Sequence, residues 1–294
     1  MRRLDYVVPA EYDGRKVLHF LRGSAGCSYS LVRSLKTFPD GILLNGVQTR
    51  TIDRLRAGDV ISITLHDKKN ESLFSDIQVP ILYEDEDVIV FNKPSDMACH
   101  QAKQRQQGTL ANVFAAHCAK RGESMPCRIL NRLDKDTTGT VLIAKNAFAA
   151  ASLTGNVDKL YLAVVAGQLN PLDGQIDAPI GQPDRTNPRR CVCNEGQRSV
   201  TQYHTTAFGR DYSVVQCTLH TGRTHQIRVH MSNLNHPLLG DHLYGGDDSL
   251  IQRQALHCAR LIFIHPVSKK RIKIEAPLPQ DMQKLTRQAV IRWQ

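Results

Sequence analysis

The spacing of apolar runs limits this fold more than any other feature. Residues 42–44, 60–65, 81–83, 88–91, 141–143, 162–166, 199–208, 212–219, 261–264 and 271–274 read as strands. A helical period occurs in few places: Val17, Leu18 and Leu21; Leu31, Val32 and Leu35; residues 108–120, with Leu110, Val113 and Phe114 on one side; residues 147–153; Ile227, Met231 and Leu234; and residues 281–293. Helices so irregularly placed argue against a regular β-α-β repeat. Asn45-Gly46 is a tight-turn signal between two strands. Pro94 ends the strand before it, because proline has no N–H to give a ladder. Residues 67–76 read as a linker, and residues 181–198 as a loop carrying Arg185, Arg189, Arg190 and Arg198.

The stretch RILNRLDKDTTGTVLIAK, residues 128–145, crowds Arg132, Asp134, Lys135 and Asp136 into five positions and then enters an apolar run. A charged turn braced by a strand suits a reactive group, and a solvated loop has the same composition.

Lys plus Arg number 38 and Asp plus Glu 28, a formal charge of +10 that fits a polyanionic partner. Eight scattered cysteines with no Cys-x-x-Cys exclude a zinc cluster and fit a reducing cytosol. His220, His225 and His230 are five apart, which does not stack three ligands on one helix face, so no metal is expected. No apolar run reaches the roughly 20 residues of a membrane helix, and the N-terminus lacks the apolar stretch of a secretory signal. Glycine-rich phosphate loops, the GxSxG elbow and the zinc-deaminase signature are missing.

Residues 1–75 carry 12 basic and 8 acidic residues, a net +4. RKVLHFLR, SLVRSLKTFPDGILLNGVQ and LRAGDVISI, in that order, resemble the S-four-like RNA-binding module. The resemblance implies a basic helix face gripping RNA phosphates, with Arg33 and Lys36 as the matching residues. From residue 80 to about 280, NKP, RLDKDTTG, KLYLAVVAG, GRTHQIRVH, HPLLGDHLYGG and LHCARLIFIHP closely resemble the RluA-type family of RNA pseudouridine synthases.

That second resemblance implies an α+β fold: a mixed, mostly antiparallel sheet in a catalytic domain of residues 76–294, behind the small S-four-like α/β domain of residues 1–75. It implies isomerisation of uridine to pseudouridine without cofactor or metal. The expected substrate is RNA, ribosomal foremost with transfer RNA as the alternative, in the cytoplasm, with no obligate protein partner evident. Asp134 matches the catalytic aspartate, acting as nucleophile or base. Arg228 matches its partner arginine, which would hold the carboxylate charged and aimed. Tyr161 matches the active-site tyrosine, able to stack on a flipped uracil or assist proton transfer. Leu256 resembles the apolar lining of the base pocket. Arg132 matches a group that fills the vacated base position or holds a phosphate, and Thr138 and Arg223 either contact phosphate or brace the turn. Asn131 stands where the family usually has histidine, and Thr138 where serine is common. A non-catalytic RNA-binding factor and an aspartate-dependent nucleoside hydrolase remain as alternatives.

Overall fold

The computed structural model describes residues 2–67, 73–101, 107–184 and 186–290. They build two main sheets. The first contains β1 (Arg2–Val7), β2 (Ile42–Leu44), β3 (Val47–Gln48) and β4 (Val60–Leu65), in the antiparallel order β1-β4-β2-β3. Helices α1 (Val17–Arg22) and α2 (Tyr29–Leu35) cover it, and Ser28 caps α2 by accepting the Leu31 N–H at 3.2 Å. Asn45 and Gly46 take φ of 50° and 83°, the pair of left-handed residues a two-residue hairpin turn needs. β4 does not alternate as a half-buried strand would. Ile61, Ile63 and Leu65 join the apolar core while Ser62 and Thr64 are buried as well, because β4 is the central strand and Arg3 on β1 donates to the Ser62 hydroxyl at 2.8 Å. The period of β1 is hard to read, since Leu4 is its one buried residue among charged neighbours.

The second sheet has ten strands. They are β5 (Ile81–Glu84), β6 (Val88–Lys93), β7 (Arg128–Ile129), β8 (Thr138–Ala144), β9 (Val157–Ala166), β10 (Asp173–Asp177), and, beyond a separate two-stranded hairpin of β11 (Ile180–Gly181) and β12 (Cys191–Val192), β13 (Val200–Phe208), β14 (Tyr212–Leu219), β15 (Leu256–Ile264) and β16 (Arg271–Glu275). Their order is β10-β13-β14-β9-β15-β8-β6-β5, with β16 added to β15 and β7 to β8. Every pairing is antiparallel except β8 with β15, so the sheet is mixed and mostly antiparallel. At that parallel seam Cys258 faces Gly139, whose φ is 113°. A Cβ there would lie 2.2 Å from the Cys258 carbonyl oxygen, so the close approach requires glycine. Helices α3 (Leu110–Lys120), α4 (Ala147–Leu153), α5 (Gln226–Asn233) and α6 (Gln280–Gln288) complete the chain.

Three readings change. β9 starts at Val157, so Tyr161 lies inside a strand instead of leading into one. The arginine-rich loop contains the β11–β12 hairpin, and Arg185 falls outside the described residues. The last helix stops at Gln288 because the Val290 backbone exchanges hydrogen bonds of 2.8 and 3.1 Å with Phe208; residues 291–294 are also outside the described set. The expected linker is described only at its two ends.

The two sheets touch. Phe148 on α4 is buried in the apolar cluster of the N-terminal unit. Arg2 reaches Asp87 with two nitrogens at 3.2 Å, and Arg128 pairs with Asp67. A cavity of about 740 Å³ lies at this junction, away from Asp134.

Candidate active site

Asp134 sits half-buried on the turn between β7 and β8, and the turn is gripped through its carbonyls. The Asp134 carbonyl accepts the Thr137 N–H at 3.1 Å. The Lys135 carbonyl accepts from the Met97 N–H at 3.2 Å and from Lys93 Nζ at 2.8 Å. The Asp136 carbonyl accepts from Arg253 at 3.1 Å. Lys93 is fully buried and also donates to the carbonyls of Pro94 and Met97 at 2.9 and 2.7 Å. Burial pushes its amine down to about 8, with nearby acidic groups opposing the shift. Asn131 is buried just before the turn; its amide donates to the Thr140 carbonyl at 2.9 Å and accepts the Leu142 N–H at 2.8 Å. Its side chain thus continues the ladder from β7 along β8, a role that needs no titratable ring.

Across the cleft, Arg228 on α5 donates Nη1 to Asp134 Oδ2 at 3.0 Å. Its Nε and Nη2 are held by the two oxygens of buried Asp241, at 2.7 and 2.8 Å. Burial alone would lower its pKa, but the Asp241 and Asp134 carboxylates outweigh that and hold the guanidinium above its ordinary value. A guanidinium fixed by one carboxylate presents its remaining edge to the other in a set direction. His225 lies at the start of α5, with Nε2 3.8 Å from Asp134 Oδ2. Burial lowers its pKa, so its ring is neutral near pH 7.

Tyr161 on β9 is buried in the same cleft. Burial first, and the neighbouring Cys258 next, raise its pKa well above the ordinary range, so its hydroxyl stays a neutral phenol. Its ring, Leu256 at the start of β15, Asp134, His225 and Arg228 line one recess. That recess adjoins a cleft of about 450 Å³ lined by Cys99, Asn131, Arg132, Asp134, Tyr161 and Arg223. Arg132 and Arg223 are exposed at its edge. The Arg223 backbone N–H donates to Gln226 Oε1 at 3.0 Å, which ties the loop to the first turn of α5.

Thr138 is elsewhere. It is 5 % exposed, and its hydroxyl bonds His257 Nδ1 at 2.8 Å across the parallel seam, which braces the strand and leaves it no access to a phosphate. Arg33 on α2 and Lys36 at its C-cap are both exposed. The three histidines separate: His230 is buried against Thr201 and the Ala178 carbonyl, His220 is exposed, and His225 faces Asp134. Among the described residues, ligand-type atoms of Asp85, Asp87 and His265 come within 4.8 Å of one another. Asp87 is already engaged by Arg2 and Asn146, and Asp85 by Tyr83 and two backbone N–H groups.

Lys93 and Asp241 were not singled out from sequence, and His225 was weighed there as a metal ligand and not as a neighbour of Asp134. Each lies within a quoted motif, NKP, HPLLGDHLYGG or GRTHQIRVH; for Lys93 and Asp241 the signal available was a titratable residue beside proline or glycine.

The cleft on this mixed sheet thus sets a carboxylate, aimed by a clamped arginine, beside a buried aromatic ring. Residues 87–233 match the family model described as RNA pseudouridylate synthase. The chain is 38 % identical to the RNA pseudouridine synthase YjbO of Bacillus subtilis, over 90 % of this chain and 95 % of that protein. It is 36 % identical to the ribosomal large subunit pseudouridine synthase D of Xanthomonas campestris pv. campestris, over 83 % of this chain and 79 % of that one. Among solved structures, the human RNA pseudouridylate synthase domain containing 1 superposes with a TM-score of 0.58 at 27 % identity, over 73 % of this chain and 89 % of that chain. The chain belongs to the RluA-type family of RNA pseudouridine synthases, which are isomerases. Among the described residues, no helix is long and apolar enough to cross a membrane.

Proposed function

We propose that the chain isomerises uridine in large-subunit ribosomal RNA, in the cytoplasm, with Asp134 as the catalytic carboxylate. The observation that carries this reading is the Asp134 carboxylate, held at 3.0 Å by a clamped Arg228 beside the ring of Tyr161. The target uridine leaves its stack, at a cost of a few kcal/mol that is least in a loop. Asp134 then attacks C1′ of the ribose or removes a sugar proton, and the bond from C1′ to N1 breaks. The base turns within the recess; C5 bonds to C1′ as the bond from Asp134 to C1′ breaks, or as the sugar proton is returned; the C5 proton then departs and N1 gains one. The product is an isomer, so no redox partner is consumed. Oδ2 is engaged by Arg228, while Oδ1 makes no hydrogen bond among the described residues and is the oxygen assigned to the sugar. Tyr161 stacks on the base as a neutral phenol, and Leu256 closes the apolar side. Arg132 and Arg223 meet phosphates or the vacated base position at the rim. Residues 1–75 serve as an S-four-like RNA-binding domain, with Arg33 and Lys36 on phosphates, and residues 76–294 form the catalytic domain. The relatives named for the ribosomal large subunit support the substrate class.

The test is pseudouridine mapping on transcribed large-subunit ribosomal RNA and on transfer RNA, with the wild type and Asp134→Asn. Product from the wild type on ribosomal RNA alone, with the variant binding RNA but making none, is expected. Equal yield from the variant would remove Asp134 from the chemistry, and product only on transfer RNA would move the substrate.

A further inference from the structure

A line of contacts runs from Asp134 to the arginine hairpin. His225 enters α5 with φ of 59°, a left-handed conformation that histidine and asparagine adopt more readily than most residues. Its Nε2 faces Asp134 Oδ2 at 3.8 Å, and its Nδ1 lies 2.9 Å from the Tyr244 hydroxyl oxygen. That oxygen also accepts the Arg190 backbone N–H at 2.9 Å. Tyr244 is buried, with the guanidinium carbons of Arg228 and Arg189 at 5.0 and 5.5 Å from its ring centre. Arg190 lies just before β12, and its Nε is buried with no hydrogen-bond partner among the described residues.

The hydrogen positions follow from charge. A neutral imidazole has one N–H and one lone pair. A lone pair on Nε2 would point at a carboxylate oxygen, so the proton belongs on Nε2 and Nδ1 is the acceptor. The Tyr244 hydroxyl must then donate to Nδ1 while accepting from Arg190. This orders the tautomer from the hairpin inward.

Resting on the reading of Asp134 as the catalytic carboxylate, we propose that His225 and Tyr244 are positioning residues, seated by the Arg190 backbone of the arginine hairpin, that couple the hairpin to the carboxylate's aim. Both act through the carboxylate: Tyr244 is not among the residues lining the recess, and His225 meets Asp134 from its wall. They fix which atom faces Asp134 Oδ2 and so share with Arg228 the orientation of the carboxylate.

The test is a double-mutant cycle in the full-length protein under single turnover. Tyr244→Phe keeps the ring and its contacts with Arg228 and Arg189 but removes both hydroxyl bonds; His225→Asn keeps a residue type that tolerates the left-handed backbone. Each single variant should lose roughly ten- to a hundredfold in rate with RNA affinity unchanged, and the double variant should lose no more than His225→Asn alone. Losses that multiply, losses confined to RNA affinity, or wild-type rates in Tyr244→Phe would overturn the coupling. An independent readout is the ¹⁵N spectrum of His225. Nε2 should be the protonated nitrogen in the wild type, with a mixture of tautomers in Tyr244→Phe; a tautomer that does not respond would sink the relay. Asp134→Asn separates the two ideas. If it remains active, the assignment of the carboxylate fails. If it is inactive while both relay variants run at the wild-type rate, only the coupling fails.

Discussion

Asp241→Asn probes the clamp behind the ion pair of Arg228 and Asp134. Asp241 is 1 % exposed and accepts from Arg228 Nε at 2.7 Å and Nη2 at 2.8 Å. An amide of the same shape has one acceptor oxygen, so one guanidinium N–H must face an NH₂ group and lose its partner. A hydrogen bond to a charged group is worth about 1.5–3 kcal/mol, and a buried donor left unmade costs a similar amount. Stripping a buried ion of its partner altogether costs about 3–5 kcal/mol. Asp134 remains at 3.0 Å as a second counter-charge, so the full figure is not reached. The expected loss is about 3 kcal/mol, which at about 2 °C per kcal/mol for a chain of this size lowers Tm by about 6 °C. A guanidinium freed on one edge also aims Asp134 less well, and the single-turnover rate should fall roughly a hundredfold. Calorimetry gives the first number, and tritium release from RNA labelled at uridine C5 gives the second. A variant that melts within about 1 °C of the wild type and reacts at the same rate would refute the claim that Asp241 holds Arg228.

Three further outcomes are expected. Lys93 has its pKa depressed to about 8 by burial, so between pH 8 and its unfolded value near 10.4 the unfolded chain binds more protons and stability rises with pH; the gain is on the order of 3 kcal/mol. Urea titrations should show that rise in the wild type and a flatter profile over the same window in Lys93→Met. Tyr161→Phe should keep most of the rate, because the hydroxyl is held as a neutral phenol, whereas Tyr161→Ala should lose the stacked base and roughly a hundredfold in activity; the reverse ranking would assign the hydroxyl to proton transfer. Replacing Arg33 and Lys36 by alanine should flatten the plot of log affinity against log salt by about 1.5 for two phosphate contacts, and an unchanged slope measured by filter binding would remove α2 from the RNA interface.

The parts of the site that were legible in the sequence are those where local chemistry dominates. Asp134 lies at a turn that Lys135 and Asp136 make before the strand of residues 138–144; the turn types Thr138 and Gly139 read from sequence belong to that strand, because its pairing with β15 recruits them. The Asn45-Gly46 hairpin, the capped helices and the stop at Pro94 have the same local origin. Harder to read were elements defined by their partners. The short strands β7, β11 and β12 exist because a neighbouring backbone pairs with them, and α6 ends early because Phe208 recruits Val290.

By itself the sequence determined the strand-rich α+β class, the turn that carries Asp134, the candidacy of Arg228, Tyr161 and Leu256, and the resemblance that names the chemistry. The class and the turn follow from turn propensity and apolar period, which are properties of neighbouring residues; the three candidates follow from the family resemblance of their motifs. Only the tertiary structure decided that Thr138 turns inward to His257, that Asn131 splices a ladder, and that Lys93 pins the turn that carries Asp134. It also brought Asp241 behind Arg228, and Tyr244 between His225 and Arg190. The reason is physical: a buried charge or polar group is tolerated only where folding supplies its partner. Arg228 and Asp134 meet across 94 positions of chain, a distance over which no local pattern reports.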